Sequence, residues 1–217
     1  MKIAILCSDI THPIYPLLQI WAEKHEVLNK IQLVRLKGEL LGGDILFLIS
    51  CHEIIGKDVR DLYKATLLIH ASDLPKGRGW SPYIWQIVEG SNQIPVTLIE
   101  AGDQVDSGAI WQQLLLVFEG HETCEEINQA LFRSEIELMD FAVSNFDKVI
   151  PRLQDQREPT YYRKRTPEDS KLDPYRSIAE QFDLIRVADL KRFPAFFDFR
   201  GHRYTLSITK VTSNEQS

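Results

Sequence analysis

Short apolar runs alternate with segments of helical periodicity along the first 150 residues, and this alternation restricts the folds that the chain can adopt. The apolar runs, which are typical of buried strands, are 2–7, 31–36, 44–50, 65–70, 94–101 and 108–118. The helical segments are 13–24, 57–64, 81–90 and 121–146. Strands that alternate with helices pair into a parallel sheet with helices on both faces. The sequence therefore predicts an α/β fold with a doubly wound, mostly parallel sheet.

The segment 81–90 carries start and stop signals for a short helix. Ser81 is the predicted N-cap, Pro82 occupies the first helical position, and Gly90 ends the segment. In sheets of this class, ligands bind beyond the carboxyl ends of the strands. We therefore expect chemistry among the residues that directly follow the apolar runs.

The composition changes after residue 150. Residues 151–176 are rich in proline and charge and lack apolar periodicity, which predicts a long irregular surface segment. The final third of the chain is too small to bury a core of its own. We therefore expect a main domain at 1–150 and a C-terminal extension at 151–217 that packs on it.

Two local patterns predict structure within the C-terminal extension. Ser177 and Glu180 have the spacing of a capping box, which predicts the start of a last helix. The segment 195–211 predicts a hairpin that turns at Arg200 and Gly201.

Charge and cysteine content limit the partners and the compartment. The 217 residues carry a formal net charge of −6, which disfavours a partner held through many phosphates, such as tRNA or duplex DNA. Cys7, Cys51 and Cys124 are few and scattered, which indicates reduced thiols in the cytoplasm. No apolar run approaches the roughly 20 residues of a membrane helix, so no membrane association is expected.

Polar residues follow two of the predicted strands. Ser50, Cys51 and His52 end or follow the third apolar run, and His70 ends the fourth. Farther along the chain, Asp106 lies in an Asp-Ser-Gly that also suits an ordinary turn. Taken alone, His70 is equally well interpreted as a strand-end histidine bonded to backbone. Together, a histidine and a carboxylate from adjacent strand ends can form an acid/base pair.

Several common sites find no support in the sequence. The glycines at 42–43 do not form a dinucleotide fingerprint, and no P-loop is present. Ser72 lacks the G-x-S-x-G context of a hydrolase nucleophile and is interpreted as a turn hydroxyl. Cys51 and His52 are adjacent on an extended segment, so their side chains point to opposite faces and make a poor thiol–imidazole pair. The other histidines show no ligand spacing, and no metal is predicted.

The segment 161–165 (YYRKR) concentrates two aromatic rings and three cations in an acidic chain. A solvated linker is the simpler interpretation of this composition. The alternative is a clamp for an anionic ligand such as a nucleotide diphosphate, in which arginine forks hold phosphate and a tyrosine ring lies on a base.

The stretch 69–90 (IHASDLPKGRGWSPYIWQIVEG), followed by 96–110 (VTLIEAGDQVDSGAI), resembles the 10-formyltetrahydrofolate-dependent formyltransferases. In that family a strand ends in Asn-x-His and leads through a Ser-Leu-Leu-Pro-like turn and Arg-Gly to a Trp-bearing helix, with an Asp-x-Gly element later. The matching positions are His70, Leu74-Pro75, Arg78-Gly79, Pro82, Trp85 and Asp106-Ser107-Gly108. The resemblance covers roughly residues 1–150.

Two later segments favour one branch of this family. The run YYRKRTPEDSKLDP (161–174) resembles an Arg-Arg-Thr-Pro-Glu-Asp segment of sugar-nucleotide N-formyltransferases, and FPAFFDFRGHRY (193–204) resembles their substrate-side region. The nearest likeness is to the enzyme that formylates a UDP-linked 4-amino-4,6-dideoxy sugar of the pseudaminic acid pathway. A methionyl-tRNA enzyme would be expected to have a larger C-terminal domain and more positive charge.

The resemblance implies 10-formyltetrahydrofolate as co-substrate and a nucleotide-activated amino sugar as acceptor. It implies that His70 is the oxyanion donor and proton shuttle and that Asp106 orients it. The residues expected at the folate are Ser50, Cys51, His52, Ile54, Arg78, Gly102, Asp103 and Val105. The residues expected at the acceptor are Ser72, Trp80, Tyr161, Tyr162, Arg163, Lys164 and Arg165. A homodimer stays open.

One position departs from the family pattern. The family asparagine, two residues before the histidine, falls on Leu68, which has no hydrogen-bond donor in its side chain. We expect Ser50, Ser72 or a backbone amide to replace it. The alternatives are another folate-dependent formyl transferase, a formyl hydrolase, and a non-catalytic protein that binds folate or a sugar nucleotide.

Overall fold

The apolar runs of the sequence form the centre of the fold. The computed structural model describes residues 1–155 and 157–211. The strands are β1 (Lys2–Leu6), β2 (Lys30–Val34), β3 (Gly43–Leu48), β4 (Tyr63–His70), β5 (Arg78–Gly79), β6 (Gln93–Glu100), β7 (Ile110–Val117), β8 (Tyr161–Tyr162), β9 (Ala195–Phe199) and β10 (His202–Leu206). The α-helices are α1 (Tyr15–His25), α2 (Lys57–Arg60), α3 (Pro82–Val88), α4 (Cys124–Asn145) and α5 (Phe182–Arg186).

Six strands make one sheet in the order β2-β1-β3-β4-β6-β7. The first four in this order are parallel, while β6 runs antiparallel to β4 and β7 antiparallel to β6. The predicted α/β fold with a mostly parallel sheet is therefore confirmed. Leu48 on β3 pairs with Leu68 on β4, so the carboxyl ends of these two strands lie at the same edge of the sheet.

The side chains on the two faces of β4 pack against different parts of the protein. Leu67 is fully buried in the main core, which helices α1, α3 and α4 share with the sheet. Leu68 faces the other way, because side chains alternate along a strand. It packs against a small apolar cluster of Leu74, Ile99 and Ile110. His70 follows at the next alternate position and is buried with 7% of its surface exposed.

Helix α3 begins differently from its sequence prediction. Ser81 makes no side-chain capping bond, and its backbone is left-handed with φ of 47°. Ser81 therefore occupies the predicted N-cap position, but it does not cap the helix through its side chain. A residue that precedes proline is disfavoured in the right-handed helical region, and Pro82 follows directly. The predicted end at Gly90 is confirmed, since α3 stops at Val88 and Gly90 has φ of 89°.

The two local patterns of the C-terminal extension are both present. Ser177 N–H and Oγ donate to the Glu180 carboxylate, and Glu180 N–H donates back to Ser177 Oγ. Strands β9 and β10 form the predicted hairpin. Arg200 and Gly201 turn it, with φ of 50° and 81°, as a tight hairpin turn requires.

The extension contacts the main sheet through side chains and through backbone. Its own small cluster centres on Leu172, Ile185 and Ala195, while Val187 is buried in the main core. The segment 151–176 is mostly irregular, as predicted, but β8 within it pairs in parallel with β5. In the described part of the chain, no helix has the length and apolar character needed to cross a bilayer.

Candidate active site

The end of β4 brings His70 close to Asp106, which lies in the loop between β6 and β7. His70 Nδ1 is 3.6 Å from Asp106 Oδ2, and each side chain is about nine-tenths buried. His70 Nε2 lies 2.8 Å from the Gly77 carbonyl. Because a carbonyl oxygen only accepts, Nε2 carries the proton of this hydrogen bond. The ring is therefore held by Gly77, and its Nδ1 edge faces the carboxylate.

Asp106 is fixed from both its side chain and its backbone. The Gly79 N–H donates to Asp106 Oδ2 at 2.8 Å. The Asp106 backbone is left-handed with φ of 52°, a conformation that aspartate tolerates better than most residues. The Gln154 side-chain amide donates to the carbonyls of Asp106 and Gly108 at 2.7 and 3.0 Å. The carboxylate is thus positioned before any ligand binds.

Gln154 links this loop to Arg78, and sequence reasoning missed it. Arg78 Nη2 donates to Gln154 Oε1 at 2.7 Å, and Arg78 Nη1 donates to the Tyr161 hydroxyl at 3.4 Å. Gln154 lies in an irregular segment without a motif, so no signal in the sequence marks it. Arg78 is 9% exposed and its Nε has no partner in the described residues. Its observed contacts support the Asp106 loop, and its expected contact with folate stays a prediction.

Gly79 is required where β5 meets β8. Its φ is 98°, and a Cβ there would lie 2.4 Å from the Tyr162 carbonyl oxygen. Gly90 has a similar φ of 89°, but a Cβ there would meet nothing within 4 Å. An alanine at Gly90 would therefore be strained only by its positive φ. An alanine at Gly79 would be strained by its positive φ and also by overlap with the Tyr162 backbone.

We expect Gly79→Ala to lower the free energy of unfolding by about 1–3 kcal/mol more than Gly90→Ala does. Both substitutions strain a positive φ, but only the first pushes β8 away and disturbs the N–H that holds Asp106. Urea denaturation of the two variants measures this difference. An equal loss of unfolding free energy in the two variants would show that β8 can move away from β5 without loss of stability.

A cavity of about 280 Å³ opens at His70. Helices α3 and α4 and the segment 187–193 form its walls, so the C-terminal extension closes one side. Its polar lining includes Ser50, Tyr83, Asn128, Glu135 and Arg165. The cavity is thus a polar chamber beside the histidine, enclosed by parts of the chain that are distant in sequence.

Of the two arginines that line the cavity in the described structure, one is paired with a carboxylate and the other is not. Arg192 Nε donates to Asp189 at 2.7 Å. Arg165 is 8% exposed, donates to Ser170 Oγ at 2.9 Å and lies over the Phe193 ring, and burial lowers its pKa. No carboxylate in the described residues lies within 4 Å of it. Arg165 is therefore a buried cation that is available to an anionic group of a ligand.

Burial shifts the pKa of one carboxyl group and one hydroxyl group of the cavity. Burial raises the pKa of Glu135 to about 8, and it also raises the pKa of Tyr83. The Tyr83 hydroxyl donates to Asn128 Oδ1 at 3.0 Å. Sequence reasoning missed all three residues. A signal existed for two of them, because Asn128 and Glu135 lie on the otherwise apolar stripe of the 121–146 helix.

The residues expected at the folate lie in two loops at one edge of the sheet. Ser50 lines the cavity, Cys51 is half-buried, and His52 N–H donates to Ser8 Oγ. Ile54 and Val105 expose 88% and 68% of their surfaces. Gly102 and Asp103 belong to the second loop, before Asp106.

Arg60 joins these two loops. It donates to the Ile55 carbonyl at 2.9 Å and forms an ion pair with Asp103. Sequence reasoning missed Arg60, since nothing in the 57–64 pattern distinguishes it from a solvated cation.

The two serines expected to replace the family asparagine differ in their access to the cavity. Ser50 is part of its lining. Ser72 is 1% exposed, its Oγ has no partner in the described residues, and it packs beside Gly77. Leu68 itself lies in the apolar cluster on its face of β4.

The segment 161–165 distributes its side chains in several directions. Tyr161 is 64% exposed, and the Tyr162 hydroxyl donates to Glu89 at 2.7 Å. Arg163 is paired with Asp169 and lies over the Trp85 ring. Lys164 lies over Trp80, which is half exposed. Of the three cations, Arg165 alone lines the cavity.

Comparisons with known proteins identify the family of this chain. A family model described as formyl transferase matches residues 21–143, which is more than half of the chain. The chain belongs to the formyl transferase family. The match contains His70 and Asp106 together with the strand and helix that flank them.

Two methionyl-tRNA formyltransferases are similar to this chain, one in sequence and one in fold. It is 30% identical over 161 residues to a methionyl-tRNA formyltransferase of Rickettsia felis, and the match covers 73% of this chain and 52% of that protein. The chain thus spans about half the length of this curated relative. It also resembles the structure of a methionyl-tRNA formyltransferase from Clostridium thermocellum, with 22% identity, a TM-score of 0.82, and 98% and 94% of the two chains covered.

Two further structures share the fold at low identity. HypX from Aquifex aeolicus in complex with tetrahydrofolic acid aligns with a TM-score of 0.80 and 20% identity, over 96% of this chain and 37% of HypX. A sugar N-formyltransferase from a Shewanella species aligns with a TM-score of 0.72 and 14% identity, over 98% of both chains.

Proposed function

We propose that this formyl transferase moves a formyl group from 10-formyltetrahydrofolate to the primary amine of a nucleotide-linked 4-amino-4,6-dideoxy sugar. The observation that carries the proposal is the His70–Asp106 pair at the opening of a polar cavity of about 280 Å³. Residues 1–150 provide this pair, and the C-terminal extension closes the cavity where the sugar would lie.

The surroundings of the two loops suit a folate. Exposed Ile54 and Val105 offer apolar contact to a flat ring, and the backbone groups of the loops offer donors and acceptors to its polar edge. Arg60 holds the loops together without a ligand. 10-Formyltetrahydrofolate supplies an activated formyl carbon to the site. The structure of HypX with tetrahydrofolic acid supports this choice, because its fold is shared here.

The residues at the cavity can carry out the proton transfers that formylation of an amine requires. The amine must lose a proton, and the carbonyl oxygen gains negative charge as the nitrogen attacks. His70 would donate a hydrogen bond to that oxygen, which requires its ring to leave the Gly77 carbonyl. As the intermediate collapses, the bond between the formyl carbon and N10 of the folate would break, and His70 would pass the proton lost by the amine to N10, so that tetrahydrofolate leaves. Asp106 would stabilise the protonated ring from 3.6 Å. Ser50 would provide the second donor in place of the family asparagine.

Charge favours a sugar nucleotide over tRNA as the acceptor. The net charge of −6 opposes the many phosphate contacts that a tRNA needs. Arg165 supplies one buried cation, which suits an anionic group of a smaller ligand. Trp80 and Tyr161 are exposed near the cavity and offer rings on which a base can stack.

Incubation with 10-formyltetrahydrofolate and a panel of amino-sugar nucleotides tests the proposal. The expected product is heavier than its acceptor by one formyl group, detected by mass spectrometry. A methionyl-tRNA arm and an arm with water as the only acceptor identify the two rival activities. Product in either of those arms alone would overturn the sugar assignment.

Leu68→Asn tests whether the site lacks a donor. We expect no increase in formyl transfer, since Ser50 already lines the cavity. We also expect the free energy of unfolding to fall by about 1–3 kcal/mol, because an amide enters the cluster of Leu74, Ile99 and Ile110. Initial rates and urea denaturation measure the two effects. Leu68→Met is the control and should cost less than about 1.5 kcal/mol. A rate increase of about tenfold or more would contradict the role of Ser50.

A further inference from the structure

Helix α4 carries a carboxyl group on its buried side. The buried positions of this helix include Ile127, Leu131, Phe132, Leu138 and Met139. Asn128 and Glu135 lie on the same side, two turns apart, and both face the cavity. Asn128 is bonded to Tyr83, whereas Glu135 makes no hydrogen bond or ion pair with any described residue.

The Glu135 carboxyl group lines the cavity and is half-buried. Burial disfavours the charged form of a carboxyl group without a partner, and it raises the pKa of Glu135 to about 8. Neither Arg192, which pairs with Asp189, nor Arg165, which bonds to Ser170, lies within 4 Å of this carboxyl group. A ligand in the cavity can therefore supply a partner for this carboxyl group.

We propose that Glu135 binds the primary amine of the acceptor, in its ammonium form, inside the cavity that opens at His70. An ammonium group offers three donors and a positive charge, which are what the carboxylate lacks. The cavity volume is close to the lower end of small-molecule sites, roughly 300 Å³, so it suits one sugar ring or an aminoacyl group. This proposal rests on the proposed function in one respect, that the acceptor carries an amine. It does not depend on whether that acceptor is a sugar nucleotide or another molecule.

Calorimetry with matched ligands tests the assignment. The first pair is a UDP-linked 4-amino-4,6-dideoxyglucose and UDP-6-deoxyglucose, which has a hydroxyl in place of the amine. The second pair is methionine amide and its counterpart without the amino group. We expect the wild-type protein to bind the amine of one pair more tightly than its neutral counterpart by about tenfold or more.

Glu135→Gln should remove this preference while leaving the affinity for the neutral ligand unchanged. Its melting temperature should equal or exceed that of the wild type, because a neutral amide replaces an unpaired carboxyl of the same shape. Glu125→Gln, on the exposed side of the same helix, should change neither quantity. If Glu135→Gln fails to fold, Glu135→Leu provides the same test with an apolar side chain.

The outcomes separate this proposal from the proposed function. A preference for methionine amide that depends on Glu135, with no binding of the sugar nucleotide, would support the amine site and overturn the sugar acceptor. Formylation of a sugar nucleotide by a Glu135→Gln variant with unchanged amine affinity would overturn the amine site alone. Failure of the wild-type protein to prefer either amine would also overturn it.

Discussion

His70→Ala should reduce formyl transfer on the order of 10²–10⁴-fold, the contribution of a positioned acid/base group. The reason is that the His70 imidazole lies at the opening of the cavity, with Asp106 3.6 Å from its Nδ1. Single-turnover rates with saturating 10-formyltetrahydrofolate and acceptor measure the loss directly. Affinity for the acceptor should change much less, because the cavity walls remain.

Removal of the imidazole also leaves the Gly77 carbonyl without its partner, so a second variant is needed. The Gln side chain of His70→Gln can still donate to that carbonyl but cannot exchange a proton. It should lose as much activity as His70→Ala while keeping more of the stability. His121→Ala removes an exposed histidine and should affect neither property. Turnover near that of the wild type in His70→Gln would exclude proton transfer by His70.

Arg186→Met should lower the free energy of unfolding by about 1–3 kcal/mol, because it removes the hydrogen bonds that a fully buried arginine makes to its partners. The Arg186 side chain is completely buried. Its Nε donates to Asp183 at 2.6 Å and its Nη2 donates to Asn92 Oδ1 at 3.1 Å, while Glu122 lies 3.7 Å from Nη1. These contacts connect α5 with the loops that flank β6 and α4.

Hydrogen exchange should localise this loss. Amides of β9 and β10 should exchange faster in Arg186→Met, because their attachment to the main domain is weakened, while those of β1 and β3 should change little. Lys57→Met breaks an exposed ion pair with Asp61 and should cost at most about 0.5 kcal/mol. A cost of that size for Arg186→Met would show that the extension is held by its apolar contacts alone.

The sheet was predictable because its central strands are buried, and buried strands have continuous apolar sequences. The site was predictable only in part. The positions of His70 and Asp106 follow from the family pattern, but neither Gln154 nor Gly77 carries a sequence signal for its role in holding them. Long-range hydrogen bonds to backbone depend on the folded path of the chain and leave no local pattern.

The predicted clamp at 161–165 shows a second limit of sequence reasoning. Three cations are adjacent in the sequence, but Arg163 forms an ion pair with Asp169, six residues later in the chain. Arg165 is drawn inward by Ser170 and Phe193. Nearby partners in the same segment thus decide which cations remain for a ligand. Arg186 was missed for the opposite reason, since Asn92 and Glu122, two of its three partners, are distant in sequence.

The pairing of β5 with β8 has a consequence for how acceptor preference can change. The Gly79 amide holds Asp106, and the same residue lies against the Tyr162 backbone of the extension. A substitution that moves the backbone at 160–165 is therefore expected to move the carboxylate beside His70 as well. Under the proposed function, a change of acceptor preference made there would also change turnover. Redesign for a new amine would then vary residues 79, 106, 154 and 162 as one set.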